Sequence, residues 1–261
     1  MSKIIEFKNV NFGYNNTNAF NDFNMEIEEG DIISLIGPSG SGKSTLLKML
    51  CHKLPNYYCY YNGTSFKDCN IEELKRSIVV VFDLPFANTT IKEEITRYLK
   101  KLAINKDEID DRYDKFKTTF SLSRLEGKDI NKITYSDRTL IKILRYLIID
   151  PSFIAIDSIF SSLTSEYKEK IIDFIKENHI TLLNVTTDLD DTLYGNKIYV
   201  IENFVLILEG NTLSVLKTDT LLKRLGFKLP LAVDLSIELN HYEVLNKIYT
   251  NKDKLVNALW K

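Results

Sequence analysis

The 261-residue chain balances 34 Lys and Arg against 36 Asp and Glu, a formal charge of -2 at pH 7, with 44% hydrophobic and 27% charged residues. That length can bury a full core, as one large domain or as a domain with a small appendage, and the near-neutral balance lacks the broad basic field that would favour nucleic acid as a partner. No apolar run reaches the ~18 residues of a membrane span, residues 1–7 lack the apolar stretch of a secretion signal, and three cysteines outside any metal-ligand pattern read as free thiols, so a cytoplasmic chain is expected.

In chain order, residues 4–12 and 24–36 alternate or run apolar over short lengths, which predicts strands joined at turns rich in Asn, Asp and Gly. The second stretch ends in Asp31-Ile32-Ile33-Ser34-Leu35-Ile36, a buried strand, followed by Gly37-Pro38-Ser39-Gly40-Ser41-Gly42-Lys43-Ser44-Thr45 and a helical run to Leu50. The middle segment matches G-x-x-x-x-G-K-[ST] in the required strand, loop and helix setting. In that setting backbone N–H groups and the helix N-terminus converge on phosphate oxygens, Lys43 supplies a point charge toward the β and γ phosphates, and the Ser44 hydroxyl can hold magnesium. A glycine-rich turn that merely fits the pattern is the alternative.

Residues 77–82 form a β-branched apolar run, read as a buried strand. From Thr90 to about Asp150 the period becomes helical, with Ile91, Ile95, Tyr98 and Leu102 at helical spacing, as in a helical insertion. Strands resume at 153–157, 181–185, 197–201 and 205–208, and strands alternating with helices imply a mostly parallel sheet covered on both faces. Asp157, at the end of the run 153–156, fits the acidic position that orients magnesium, with a strand-end cap as the alternative. Beyond about Thr218, short amphipathic helical segments broken at Leu229-Pro230 form a C-terminal appendage.

The phosphate loop, the helical insertion, Leu144-Arg145-Tyr146-Leu147-Ile148-Ile149-Asp150-Pro151 and the Asp157 strand together resemble the nucleotide-binding subunit of an ABC transporter over nearly the whole chain. The run Leu225-Gly226-Phe227-Lys228-Leu229-Pro230, with Leu235 and Leu239, is similar to the appendage of energy-coupling factor (ECF) transporter ATPases. The resemblance implies an α/β P-loop NTPase of ABC type: a mostly parallel core, an N-terminal antiparallel β subdomain, a helical subdomain at about 84–150 within a nucleotide-binding domain of 1–217, and an appendage of 218–261. It also implies ATP and magnesium as ligands, a second ABC ATPase subunit and a transmembrane scaffold protein as partners, no nucleic acid, and a peripheral position on the cytoplasmic face of the membrane. Tyr14 falls where the family stacks an aromatic ring on adenine, although it could equally be an ordinary core or surface tyrosine.

Several of the family's working positions are altered. Ser158 stands where a glutamate polarises the attacking water, and Thr187 where a histidine contacts the γ phosphate. Asp83 replaces the glutamine after the residue 78–82 strand; it is shorter and anionic, able to reach magnesium yet repelling a phosphate. The loop after Asp157 reads Ser161-Ser162-Leu163-Thr164 in place of one ending in aspartate. The signature L-S-G-G-Q falls on Ile133, Thr134, Tyr135, Ser136 and Asp137, where Ser136 or Asp137 can serve as a helix N-cap.

In this family two subunits meet head to tail, so Ser158, Thr187 and Asp83 weaken the site on this chain's own phosphate loop and residues 135–137 weaken the partner's. A heterodimer is expected over a homodimer, with transport coupled to ATP binding and impaired hydrolysis. Leu84-Pro85-Phe86 would offer an apolar surface to the membrane partner, or belong to the core. The alternative is a non-hydrolysing ATP-binding module with a structural or regulatory role. A small-molecule P-loop kinase ranks low because few arginines are available for a lid.

Overall fold

The structure, a computed structural model, describes residues 2–14, 17–87 and 90–260. Met1 and Lys261, the outer ends of the two expected domains, lie outside the described residues. The N-terminal strands are β1 (Lys3–Tyr14), β2 (Thr17–Glu28) and β3 (Ile32–Ile36), followed by α1 (Lys43–Leu50), β4 (Cys59–Tyr61), β5 (Thr64–Ser65), α2 (Ile71–Ser77) and β6 (Ile78–Val81). The helical region holds α3 (Ile91–Lys101), α4 (Lys106–Thr119) and α5 (Tyr135–Leu147). The core then continues through β7 (Phe153–Asp157), α6 (Ser165–Glu177), β8 (Thr181–Val185), β9 (Lys197–Glu202) and β10 (Val205–Asn211). Four short helices close the described chain: α7 (Thr212–Leu216), α8 (Asp219–Arg224), α9 (Leu231–His241) and α10 (Lys252–Leu259).

Among the described residues the strands form two sheets, an antiparallel one in the order β2-β1-β4-β5 and a larger one in the order β10-β9-β3-β8-β7-β6. Within the larger sheet β9, β3, β8, β7 and β6 run parallel and β10 pairs antiparallel at one edge. Because side chains alternate across a strand, each parallel strand feeds two cores. Ile33, Leu35, Ala155, Leu183 and Val185 face the antiparallel sheet and α1. Ile154, Ile156 and Leu182 face the helical side, with α3, α5 and α6. A third cluster places Ile36, Ile198 and Val200 against Leu216, Leu222, Phe227 and Val233 of the C-terminal segment, so residues near the Leu225–Pro230 run pack directly on the sheet. The near-continuous apolar strands 78–81 and 153–156 follow from this double coverage.

Helix α5 crosses the helical side with Leu140, Ile141, Ile143, Leu144 and Leu147 buried. It also carries Arg145, 1% exposed, whose guanidinium donates to Glu94 Oε1 of α3 at 2.7 Å, while Arg97 reaches the same oxygen at 2.9 Å and the Ala87 N–H donates to Glu94 Oε2 at 3.1 Å. A charge removed from water this completely is tolerable only when paired, so deleting one partner strands the other. Glu94→Ala is therefore expected to cost about 3–5 kcal/mol, read as a lower urea midpoint at unchanged slope; a midpoint shift corresponding to less than about 1 kcal/mol would mean the pair is not held as described.

Candidate functional site

The sequence-predicted phosphate loop runs from the C-terminal end of β3 into α1, and two of its glycines are required by conformation. Gly40 and Gly42 have φ of 80° and 109°, the left-handed region that side chains disfavour. A Cβ at Gly42 would lie 2.6 Å from the Phe20 ring and 2.7 Å from the Phe204 ring, whereas one at Gly40 would meet nothing within 4 Å. The Phe204 N–H donates to the Ser41 carbonyl at 3.0 Å, and the Phe20 and Phe204 rings meet edge to face at 5.2 Å. The β9–β10 turn and the antiparallel sheet therefore clamp the loop from beneath, with Gly37 pressed against the Ile201 carbonyl. Pro38, Ser39 and Gly40 stay at least partly open to solvent, and Ser41 and Gly42 are buried.

Lys43 is buried, and its ammonium donates to the Gly37 carbonyl at 2.7 Å, the Pro38 carbonyl at 2.8 Å and the Ser41 hydroxyl at 3.2 Å. Burial lowers its pKa, and the Asp157 carboxylate partly opposes that shift. A cation held by neutral oxygens at the mouth of a helix N-terminus is a donor set suited to a polyphosphate. Ser44 is exposed, and the buried Thr45 shares a 3.2 Å hydrogen bond with the Tyr14 hydroxyl. Tyr14 is 41% exposed and is thus beside the loop, its ring edge-on to Phe12 at 5.0 Å.

Asp157 ends β7, which pairs with β8, which pairs in turn with β3. Burial raises its pKa, opposed by the Ser158 hydrogen bond and by the charges of Lys43 and Lys48. Ser158 has φ 60°, donates its N–H to the Val185 carbonyl at 2.9 Å and its hydroxyl to Asp157 Oδ1 at 3.2 Å. Its side chain is therefore turned to the acid next to it. After β8, Thr187 is exposed, while its neighbour Thr186 is buried and donates to Asp191 Oδ2 at 2.9 Å, with Lys168 on the other carboxylate oxygen at 2.6 Å. Among the described residues no group of three or more His, Cys, Asp or Glu is placed to hold a metal ion. Magnesium here would need oxygens from a bound nucleotide beside Ser44 and Asp157, the usual habit of that ion.

The segment at the signature position is built differently from the expectation for Ser136 and Asp137. Thr134 is the N-cap of α5: its hydroxyl accepts the Asp137 N–H at 3.1 Å and donates to Asp137 Oδ2 at 2.7 Å. Asp137 occupies the third helical position and is 2% exposed. Arg124 pairs with its carboxylate, and the Tyr167 hydroxyl donates to Oδ1 at 2.7 Å. The Asp137 carboxylate is thus paired within the chain. Ser136 does not cap the helix; its hydroxyl accepts the Thr164 N–H at 3.0 Å and ties this segment to the loop after β7. Ile133 is buried in the helical-side core, and Tyr135 is 48% exposed.

Asp83 follows β6 and forms an ion pair with Lys142 of α5, while the Tyr135 hydroxyl donates to Asp83 Oδ2 at 3.5 Å. Lys142, Arg124, Tyr167, Phe20 and Phe204 are not legible as site residues, because each meets its partner from another segment of the chain with no local spacing to mark it.

The family model described as "ABC transporter" matches residues 20–161. The "Energy-coupling factor transporter ATP-binding protein EcfA1" of Staphylococcus aureus is 26% identical over 251 residues, covering 92% of this chain and 93% of that protein. Among solved structures, cbiO1 from Clostridium perfringens, "part of the ABC transporter complex cbiONQ", superposes at a TM-score of 0.75 with 21% identity, covering 94% of this chain and all of the other. The dimeric bacterial ABC transporter cassette MJ0796 gives a TM-score of 0.68 at 25% identity, covering 80% of this chain and 99% of the other.

The two strained glycines separate packing from backbone strain. Gly42→Ala is expected to cost about 2–4 kcal/mol from ring overlap plus the left-handed φ, against about 1–2 kcal/mol for Gly40→Ala from φ alone. Thermal unfolding of the two variants checks the order; equal shifts would mean that Phe20 and Phe204 do not support the loop.

Proposed function

The chain belongs to the ABC transporter family, and from that premise we propose that it is the ATP-binding subunit of an ECF-type importer with impaired intrinsic hydrolysis. The observation that carries the reading is the phosphate loop with Lys43 at its centre and Asp157 two strands away in the same parallel sheet. On this reading residues 37–45 cradle the phosphates, Lys43 balances their charge, Ser44 and Asp157 hold magnesium, and Tyr14 supports the base. Residues 1–217 form the nucleotide-binding domain and 218–261 the appendage.

Hydrolysis is impaired because the position beside Asp157 carries no base. A serine hydroxyl bonded to the neighbouring carboxylate cannot take a proton from water near neutral pH, and loss of a positioned base costs about 10²–10⁴-fold in rate. Thr187 can donate a hydrogen bond but carries no positive charge for the developing phosphate. Closure around ATP requires binding alone, so such a chain can still drive a partner through population shift.

The partners on this reading are a second, more intact ABC ATPase subunit meeting this chain head to tail, and a transmembrane scaffold protein. The heterodimer is favoured because residues 135–137 lack the glycines that let backbone approach the partner's nucleotide. Among the described residues no helix is long and apolar enough to cross a membrane. The chain would lie on the cytoplasmic face through its partner, with Leu84, 43% exposed, as part of the contact. A non-hydrolysing regulatory module is the second reading, favoured by the Asp137 carboxylate being neutralised in cis, so that the signature position no longer needs an open approach.

Lys43→Ala is expected to weaken ATP binding by about 10²-fold or more, as befits the loss of a charge-assisted contact to phosphate, measured by calorimetry on the pure chain. Unaltered affinity would remove the phosphate loop from the reading. Ser158→Glu is expected to raise ATP turnover of the complex by about 10²-fold, and no gain would place the block elsewhere. A pull-down under ATP from native membranes should return a second ATPase and a membrane protein; a lone chain with normal turnover would sink the transport reading.

A further inference from the structure

The glutamine position of the family is occupied here by a carboxylate engaged with the chain's own signature helix. Asp83 lies on the loop after β6 with half of its side chain exposed, while Lys142 of α5 is 8% exposed and has its ammonium paired to Asp83 Oδ1. The same ammonium lies 5.3 Å from the Phe86 ring centroid. Tyr135, Arg138 and Lys142 stand at i, i+3 and i+7, one face of α5. The Tyr135 hydroxyl reaches Asp83 Oδ2 at 3.5 Å, and the Arg138 guanidinium lies over the Tyr135 ring at 5.6 Å. The other end of this loop is pinned to α5 as well, through the Ala87 N–H, Glu94 and Arg145.

We propose that Asp83 is a positioning residue, a latch that holds the first turns of α5 against the loop after β6 through Lys142 and Tyr135, and that it is not a magnesium ligand. Burying a lysine beside an aromatic ring is tolerable only with a counter-ion, and Asp83 is the carboxylate that supplies it. With its carboxylate committed to Lys142, Asp83 leaves the metal to Ser44 and Asp157. The latch also draws the Tyr135 ring toward its own loop, which sets where a bulky side chain stands at the position from which the family contacts the partner's nucleotide. The consequence for a partner nucleotide rests on the ATPase reading above; the latch does not.

The test is amide hydrogen exchange on the full chain without nucleotide, comparing the natural sequence, Asp83→Asn, Lys142→Met and the charge-swapped Asp83→Lys/Lys142→Glu double variant. Asp83→Asn is expected to speed exchange in residues 82–87 and 133–142 by about tenfold. Charge reversal is expected to restore much of the protection, which a loss of packing alone would not allow. In parallel, the magnesium dependence of ATP binding should persist in Asp83→Asn and be lost in Asp157→Asn. Unchanged exchange in Asp83→Asn, or a charge-swapped chain no better protected than the single variant, overturns the latch. Loss of magnesium dependence in Asp83→Asn overturns its exclusion from the metal site. If Lys142→Met repacks as an apolar core residue with full protection while Asp83→Asn loosens the loop, the ion pair is confirmed as the element that needs its counter-ion. Failure of ATP binding in the natural chain would strike the proposed function and leave the exchange result standing.

Discussion

The parallel pairing of β3, β8, β7 and β6 is the constraint on which the site depends. Parallel strands bring their C-terminal ends to one edge, and the loops leaving that edge are where side chains from distant parts of the chain can converge. Pairing Leu35 with Val185, Val185 with Asp157 and Ile156 with Val81 puts the phosphate loop, Thr187, Asp157 with Ser158, and Asp83 along a single edge. The order β3-β8-β7-β6 is not the order of the chain, because the connection from β3 through α1 and α2 carries the chain to β6 and those through α5 and α6 return it to β8. The apolar strands can be buried on both faces only if helices cover one and the antiparallel sheet the other.

Helix α5 is the second organising element. Its apolar face is anchored in the helical-side core, yet it also carries three charged groups that are almost wholly withdrawn from water: Asp137, Lys142 and Arg145. Each is paired with a different segment: Asp137 with Arg124 and Tyr167, Lys142 with Asp83, and Arg145 with Glu94. Buried ion pairs contribute little net stability over apolar packing, but they are unforgiving of displacement because separation leaves a desolvated charge. Three pairs along one helix, each burying at least one charge, therefore fix its register and rotation more than they deepen the fold. That firmness fits a segment that uses its hydroxyls and carboxylate within the chain.

The sequence reading placed its strands and helices well where period and composition agreed. The runs at 153–157, 181–185 and 197–201 are strands, the 44–50 run lies in a helix, and the 90–150 region is helical. These succeeded because burial on both faces demands uninterrupted apolar residues, and because the phosphate loop needs glycines at positions where φ is positive. The signature region was read correctly as a helix start but with the wrong cap. Ser136 and Asp137 are capping residues by type, whereas the cap is Thr134, two residues before Ser136, whose hydroxyl accepts the Asp137 N–H. Residue type likewise cannot reveal that Arg124 and Tyr167 enclose Asp137, since one comes from the helical turn at Leu122–Leu125 and the other from α6.

By itself the sequence determined the phosphate loop, the acidic strand end at Asp157 with Ser158 beside it, and the family to which these belong. Those features are local: a motif, its flanking strand and helix, and the identity of single side chains. Tertiary structure alone decided what the altered residues do. Asp83 and Asp137 are both carboxylates, and the fold gives each a cation from the same chain, Lys142 and Arg124. The reason is physical: a charge acts through whatever lies within a few ångströms, and those neighbours come from segments that only packing brings together.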